Sequence, residues 1–232
     1  MECYYRDILR CPDGGYIVAM AKIKICGITT EEEVGYLNEA GVDYAGFVQF
    51  YPKSKRNIST ERAVRLMEGL DPSVRKVAVT VSPDREQLKI IAQAGFDLVQ
   101  IHGDISDDLL ADMPLPVWKA FNGKDLTEFE RFRASDAVVG FVFDAQIPGS
   151  GKAFDWSMLQ ELPGTGKLRM LAGGLDPSNV AEALQVTDVD GVDTSSGVER
   201  ESGLGKDRDK IQAFVRAVRG TGEESAGRRD NR

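Results

Sequence analysis

The chain has 232 residues, 42% of them hydrophobic, with a formal net charge of -8 at pH 7. That length holds one α/β barrel or two small domains, and the apolar fraction is ample for a sizeable core. The negative charge argues against nucleic acid or an anionic membrane as the main partner, while leaving room for a locally positive site that takes a small anion.

Residues 1–19 show no clear periodicity, and the apolar stretch YIVAMA at 16–21 is too short for a signal-peptide core. Met20-Ala21-Lys22 would make an ordinary amino terminus, so residues 1–21 read as an N-terminal extension. Residues 22–26, KIKIC, alternate with the period of a strand and send Lys24 and Cys26 to the same side. Gly27 then lets the backbone turn, and Thr29 or Thr30 followed by Glu31–Glu33 reads as a helix start. Taken alone, Cys26 is better read as a small buried hydrophobe than as a reactive thiol.

From there apolar runs alternate with amphipathic ones. Strands are expected at 22–26, 42–48, 74–81, 97–101, 116–120, 137–143, 168–172 and 189–193. Helices are expected near 30–40, 59–69, 84–94, 106–112, 125–133, 155–161, 177–186 and 206–219. Eight strand–helix units in series call for a parallel sheet with helical crossovers, and eight closes a single (β/α)8 TIM barrel over 22–219. An open doubly wound sheet competes, but the first strand–helix turn lacks the three-glycine dinucleotide fingerprint. Residues 220–232, GTGEESAGRRDNR, have nothing to bury and read as a disordered tail. No apolar run approaches the roughly 20 residues that cross a bilayer. Cys3, Cys11 and Cys26 are too sparse and odd a set for a disulfide framework, so a cytoplasmic location is expected.

Unusual residues collect just after the strands, the face on which such barrels do chemistry. Cys26-Gly27 follows the first strand, and Pro52-Lys53-Ser54-Lys55-Arg56 the second. Gln100-Ile101-His102-Gly103 ends the fourth, Asp144 the sixth and Gly173-Gly174 the seventh, and Asp193-Thr194-Ser195-Ser196-Gly197 follows the eighth. The Gly173-Gly174 and Ser195-Ser196-Gly197 loops suit a phosphate, through close backbone approach and hydroxyl donors, or are tight turns with helix caps. Asp144, ending an apolar strand, is a general acid or a turn-forming aspartate. Gly149-Ser150-Gly151-Lys152 is placed to fold over a ligand but lacks P-loop spacing. The basic run Lys53, Lys55 and Arg56 holds a carboxylate or phosphate, or is a solvated loop. His102 is the only histidine, which excludes a multi-histidine metal site; beside Gln100 it lines the site or satisfies a turn.

Together these segments resemble the phosphoribosylanthranilate isomerases of tryptophan biosynthesis. The matching stretches are KICGITT at 24–30, DYAGFVQFYPKSKRNIS at 43–59, VQIHGD at 99–104, FDAQIPGSGKAFDW at 143–156, LAGGLDPSNV at 171–180 and VDTSSGVE at 192–199. The resemblance implies a cofactor-free, metal-free barrel that performs an Amadori rearrangement on N-(5-phosphoribosyl)anthranilate, acting as a monomer or homodimer on a small phosphosugar. It further implies Cys26 as general base, Asp144 as general acid and Arg56 as holder of the anthranilate carboxylate. Gly173, Gly174, Ser195, Ser196 and Gly197 would hold the phosphate, Asp193 would organise the site, and Gln100 and His102 would line it. A free thiol ionises near pH about 8.5, so a modest downward shift suffices for the base, and Lys24 on the same side of the strand is the candidate to supply it. Two positions depart from the family pattern: Gln49 stands where an apolar residue is usual, and Thr194 where valine is usual. A phosphosugar isomerase of the histidine pathway, for which paired aspartates are expected, and a catalytically silent phosphate-binding barrel are the competing readings.

Overall fold

The computed structural model describes residues 20–122, 126, 128–144, 165–203 and 205–227, with side chains described to 220. Eight parallel strands close into one barrel, each hydrogen-bonded to its neighbours in sequence and the last to the first. They are β1 (Lys22–Cys26), β2 (Tyr44–Val48), β3 (Arg75–Val81), β4 (Leu98–His102), β5 (Val117–Asn122), β6 (Val138–Asp144), β7 (Leu168–Ala172) and β8 (Gly191–Thr194). The helices are α1 (Glu31–Ala40), α2 (Thr60–Met67), α3 (Arg85–Gln93), α4 (Asp107–Ala111), α5 (Phe129–Arg133), α6 (Val180–Val186) and α7 (Arg208–Gly227). Closure excludes the open-sheet alternative. The helix expected at 155–161, the segment Gly149–Lys152 and residues 1–19 lie outside the described residues.

The two-residue period of the strands builds two cores. Ile23 and Ile25 of β1, Phe47 of β2 and Phe141 of β6 point outward into the shell packed by the helices. Tyr44, Val77, Val79, Leu98, Trp118 and Met170 point inward and fill the barrel. Trp118 is the largest of these side chains and meets Tyr44 edge-on at 4.7 Å between ring centroids. Its room comes from Gly140 on the adjacent strand, where a Cβ would lie 2.8 Å from the indole.

Local signals set the helix that follows β1. Thr30 is the N-cap of α1: its side chain accepts from the Glu33 amide while Glu33 Oε2 accepts from the Thr30 amide, a reciprocal capping box. Gly41 ends the helix in the left-handed region at φ 65°. At the other end of the chain, Ile211, Phe214, Val215 and Val218 form the buried face of α7. α7 runs to Gly227, past the boundary expected at 219. Residues 228–232 lie outside the described residues. No helix among the described residues is long and apolar enough to cross a membrane.

Candidate active site

The alternation that sends Ile23 and Ile25 outward sends Lys24 and Cys26 into the barrel. Parallel pairing sets Lys24 beside Asp193 on β8 and Cys26 beside Gly46 on β2. Lys24 Nζ donates to Asp193 Oδ2 at 2.7 Å, with both side chains buried. Burial pushes the Lys24 ammonium down, but the charges of Asp193 and Cys26 and hydrogen bonds to both outweigh it, so its pKa lies above the usual lysine value. For Asp193 burial pushes the carboxyl up, the charge of Asp144 adds to this, and Lys24 works against both. Asp144 ends β6 two residues beyond the inward-facing Val142, half-buried and in register with Ala172 of β7. A Cβ at Gly46 would lie 3.1 Å from Cys26 Sγ and 3.1 Å from Lys24 Nζ. Those two atoms are therefore separated by at most twice that distance, and the missing side chain is what lets them share the space.

Arg56 reaches the same region from the β2–α2 loop. Its stem crosses Gly27, where φ is +82° and a Cβ would lie 2.3 Å from Arg56 Cδ. Its Nε donates to Glu199 Oε1 at 2.6 Å. Lys55 Nζ donates to Glu199 Oε2 at 2.9 Å and to the Gly203 carbonyl at 2.5 Å. Lys206, 1% exposed, directs its ammonium to the Ser195 carbonyl at 3.0 Å, the Ser195 hydroxyl at 3.1 Å and Glu199 Oε1 at 3.4 Å. Burial pushes the Lys206 pKa below the usual lysine value although the charges of Cys26 and Glu199 oppose it. Ser195 Oγ in turn donates to the Cys26 carbonyl at 2.8 Å. Beneath this layer Glu33 accepts from the Thr29 amide at 2.6 Å and from the Lys206 amide at 2.7 Å, which ties the β1–α1 turn to the segment entering α7.

The two glycine-bearing loops interlock. Gly173 and Gly174 both have positive φ, 93° and 71°, and Asn179 Nδ2 donates to the Gly174 carbonyl at 3.0 Å. Thr194 Oγ1 donates to the Leu175 carbonyl at 2.6 Å. A Cβ at Gly197, in the 3-10 turn Ser196–Val198, would lie 2.0 Å from that same oxygen. The threonine at 194 thus adds a hydrogen bond between the loops that valine cannot make. Gln49 is equally well placed: fully buried, it donates to the carbonyls of Val48 and Ile58 and accepts from Thr60 Oγ1 at 3.0 Å.

On the far side of the barrel Gln100 and His102 project inward from β4. The Gln100 amide nitrogen lies 3.0 Å from His102 Nε2. Burial, with the charges of Lys24 and Lys119, lowers the His102 pKa to about 4, so near neutrality the ring is uncharged and Nε2 accepts from Gln100. Gln100 Oε1 and Asp193 Oδ1 are buried acceptors with no hydrogen-bond donor among the described residues. Among the described residues no three His, Cys, Asp or Glu side chains form a group that could hold a metal ion.

Hydrogen bonds link Lys24 to Asp193, Ser195 to the backbone of Cys26 and Arg56 to Glu199, and Gln100 pairs with His102 on β4, while Lys53 is exposed. Lys206, Glu199, Glu33 and Gly46 belong to the same network, and of these the sequence marked only Glu33, as part of a helix start. The capping-box spacing was the available signal for Glu33. No local pattern marks the other three, because each is defined by a partner on another strand or loop.

The family profile described as N-(5'phosphoribosyl)anthranilate (PRA) isomerase matches residues 23–217. The N-(5'-phosphoribosyl)anthranilate isomerase of Thermoanaerobacter pseudethanolicus is 39% identical over 207 residues, covering 87% of this chain and 99% of that protein. The crystal structure of the phosphoribosyl anthranilate isomerase from Thermotoga maritima superposes with a TM-score of 0.77 at 37% identity, covering 87% of this chain and 100% of that one. A phosphoribosyl anthranilate isomerase in complex with reduced 1-(o-carboxyphenylamino)-1-deoxyribulose 5-phosphate superposes with a TM-score of 0.75 at 35% identity over the same shares.

Proposed function

The chain belongs to the N-(5'-phosphoribosyl)anthranilate isomerase family of tryptophan biosynthesis, and from that premise we propose that Cys26 and Asp144 are the base and acid of its Amadori rearrangement. The observation that carries the assignment is the pair of inward-facing strand ends. Cys26 closes β1 beside Gly46, and Asp144 closes β6 with its charge felt at Asp193. An acid and a base on separated strands approach one sugar from different sides.

In this reading the Asp144 carboxyl gives its proton to the ring oxygen as the bond from C1' to that oxygen breaks. The nitrogen lone pair forms the iminium, and Asp144 is left as carboxylate. The iminium acidifies the hydrogen on C2', and the Cys26 thiolate removes it, which leaves an enaminol and a neutral thiol. Ketonisation then moves one proton from the enol oxygen to C1', and proton exchange with solvent returns Cys26 to thiolate and Asp144 to acid, so the overall change is an isomerisation with no net loss or gain of atoms. Lys24, paired with Asp193 and close to Cys26, supplies positive charge beside the thiolate. Arg56 holds the anthranilate carboxylate, the Gly173-Gly174 and Ser195-Ser196-Gly197 loops hold the phosphate, and Gln100 and His102 line the wall. The enzyme acts in the cytoplasm on a small phosphosugar.

The test is fluorescence turnover of freshly made phosphoribosylanthranilate. Cys26→Ala removes nearly all turnover while leaving affinity for the reduced product analogue near that of the parent protein. Turnover at the parent rate in Cys26→Ala overturns the assignment of the base.

A further inference from the structure

Glu199 is the residue on which three cations converge, and the reaction as written gives it no part. Its side chain is 8% exposed, and Arg56, Lys55 and Lys206 all direct nitrogens at its two oxygens. Burial pushes its carboxyl up, but the hydrogen bonds from Arg56 and Lys55 and the charge of Lys206 outweigh this and bring it down to about 2. Glu199 is therefore ionised throughout the working range, and one carboxylate among three cations leaves the cluster positive, as an anion site requires.

What matters is the edge of the guanidinium that it uses. A guanidinium presents two forks to a carboxylate, one side-on through Nε and an Nη, the other end-on through Nη1 and Nη2. Glu199 Oε1 takes Nε at 2.6 Å. Among the described residues neither Nη donates to a protein acceptor, and the Arg56 side chain is 25% exposed. The side-on fork is occupied and the end-on fork is free. The stem is confined as well, because it runs across the bare Cα of Gly27.

We propose that Glu199 is the positioning residue for carboxylate recognition: by engaging Nε of Arg56 it leaves only the Nη1/Nη2 edge facing the substrate, and so makes the site selective for an amine that carries a carboxylate. This rests on the reading of Arg56 as the partner of that carboxylate. Position and charge predict opposite results. Removing a negative charge from a cationic cluster strengthens its pull on any anion. Releasing Nε instead frees the guanidinium to rotate and spreads the bidentate geometry over several poses.

The experiment compares two ligands by titration calorimetry, reduced 1-(o-carboxyphenylamino)-1-deoxyribulose 5-phosphate and the same compound built on aniline, which lacks the carboxylate. In Glu199→Ala the carboxylate-bearing ligand weakens by about tenfold while the carboxylate-free one is unchanged, and KM rises with kcat altered less than about twofold. Glu199→Asp keeps a counter-charge beside Lys55 and Lys206 but withdraws it by one methylene from Arg56 Nε. It also loses the discrimination, and it carries the test if the alanine variant does not fold. Equal weakening of both ligands, tighter binding of the carboxylate-bearing one, or full discrimination in Glu199→Asp overturns the proposal. Arg56→Met is measured alongside. If that variant keeps the discrimination, the reading of Arg56 fails; if it loses the discrimination and the Glu199 variants keep it, only the role of Glu199 fails.

Discussion

Arg56 lies across Gly27 so closely that a Cβ on the glycine would stand 2.3 Å from Arg56 Cδ. The glycine beside the thiol is there for the arginine as much as for the turn. Gly27→Ala meets both the clash and a φ of +82° that L side chains rarely adopt. The variant raises KM by on the order of ten- to hundredfold through displacement of Arg56. Steady-state kinetics beside a thermal melt separate that effect from unfolding, and an unchanged KM in a folded variant counts against it.

On the proposed assignment of the acid, Asp144→Asn removes the transferable proton with little change in shape. Turnover falls by about 10²–10⁴, while calorimetric affinity for the reduced product analogue stays near that of the parent. Arg56→Met does the reverse, raising KM by roughly ten- to hundredfold with a smaller change in kcat. A large kcat loss without a KM change in Arg56→Met would rule out the carboxylate assignment.

Gly46→Ala inserts a methyl 3.1 Å from both Cys26 Sγ and Lys24 Nζ. That spacing forces the thiol and the ammonium to give way inside a packed barrel, at about 1–3 kcal/mol of stability. Turnover drops on the order of tenfold or more because Cys26, the proposed base, moves. Denaturant melts and kcat measured on one preparation check the two effects, and a fully active variant refutes the second.

Strand positions were legible because period-two apolar runs carry a strong local signal, and the (β/α)8 count followed from them. Candidate site residues stood out where a residue type was unusual for its place, as with Cys26 after KIKI or Asp144 after VVGFVF. The pairings were not. Lys24 and Asp193 are 169 positions apart and meet only because β1 and β8 lie in register. Lys206 gives no sequence hint that its ammonium is buried, since a lysine just before a helix ordinarily faces water. Gln49 looked like a flaw in an apolar strand end, and its three hydrogen bonds are visible only once the β2–α2 loop has folded back over it.

Thr194→Val deletes the hydroxyl that donates to the Leu175 carbonyl at 2.6 Å. With Leu175 buried, the carbonyl loses its donor and the loop pair loses about 1–3 kcal/mol. Urea unfolding reads this loss, and equal midpoints for variant and parent would show the hydroxyl to be idle.

His102 gives the fold an acid-side slope. Its pKa is lowered by burial and by the charges of Lys24 and Lys119 from 6.5 to about 4. Between those values the unfolded chain binds a proton that the folded chain does not, so stability is fully present above pH 6.5 and is lost as the pH falls through about 4. The loss amounts to up to about 3 kcal/mol. Denaturant unfolding at about pH 7, 5 and 4 shows a shallower decline in His102→Gln than in the parent. Parallel declines would exclude the histidine as the source.

The pairing of β1 with β8 has a consequence for the life of the polypeptide. Cys26 is among the earliest site residues to leave the ribosome, and Asp193, Ser195, Glu199 and Lys206 are among the last. Every nascent chain spends most of its synthesis with an exposed thiol, a lysine without its aspartate and an arginine without its glutamate. A translation product stalled before β8 carries Lys24, Cys26 and Arg56 without Asp193, Ser195, Glu199 and Lys206, the partners that β8 and the segment after it supply.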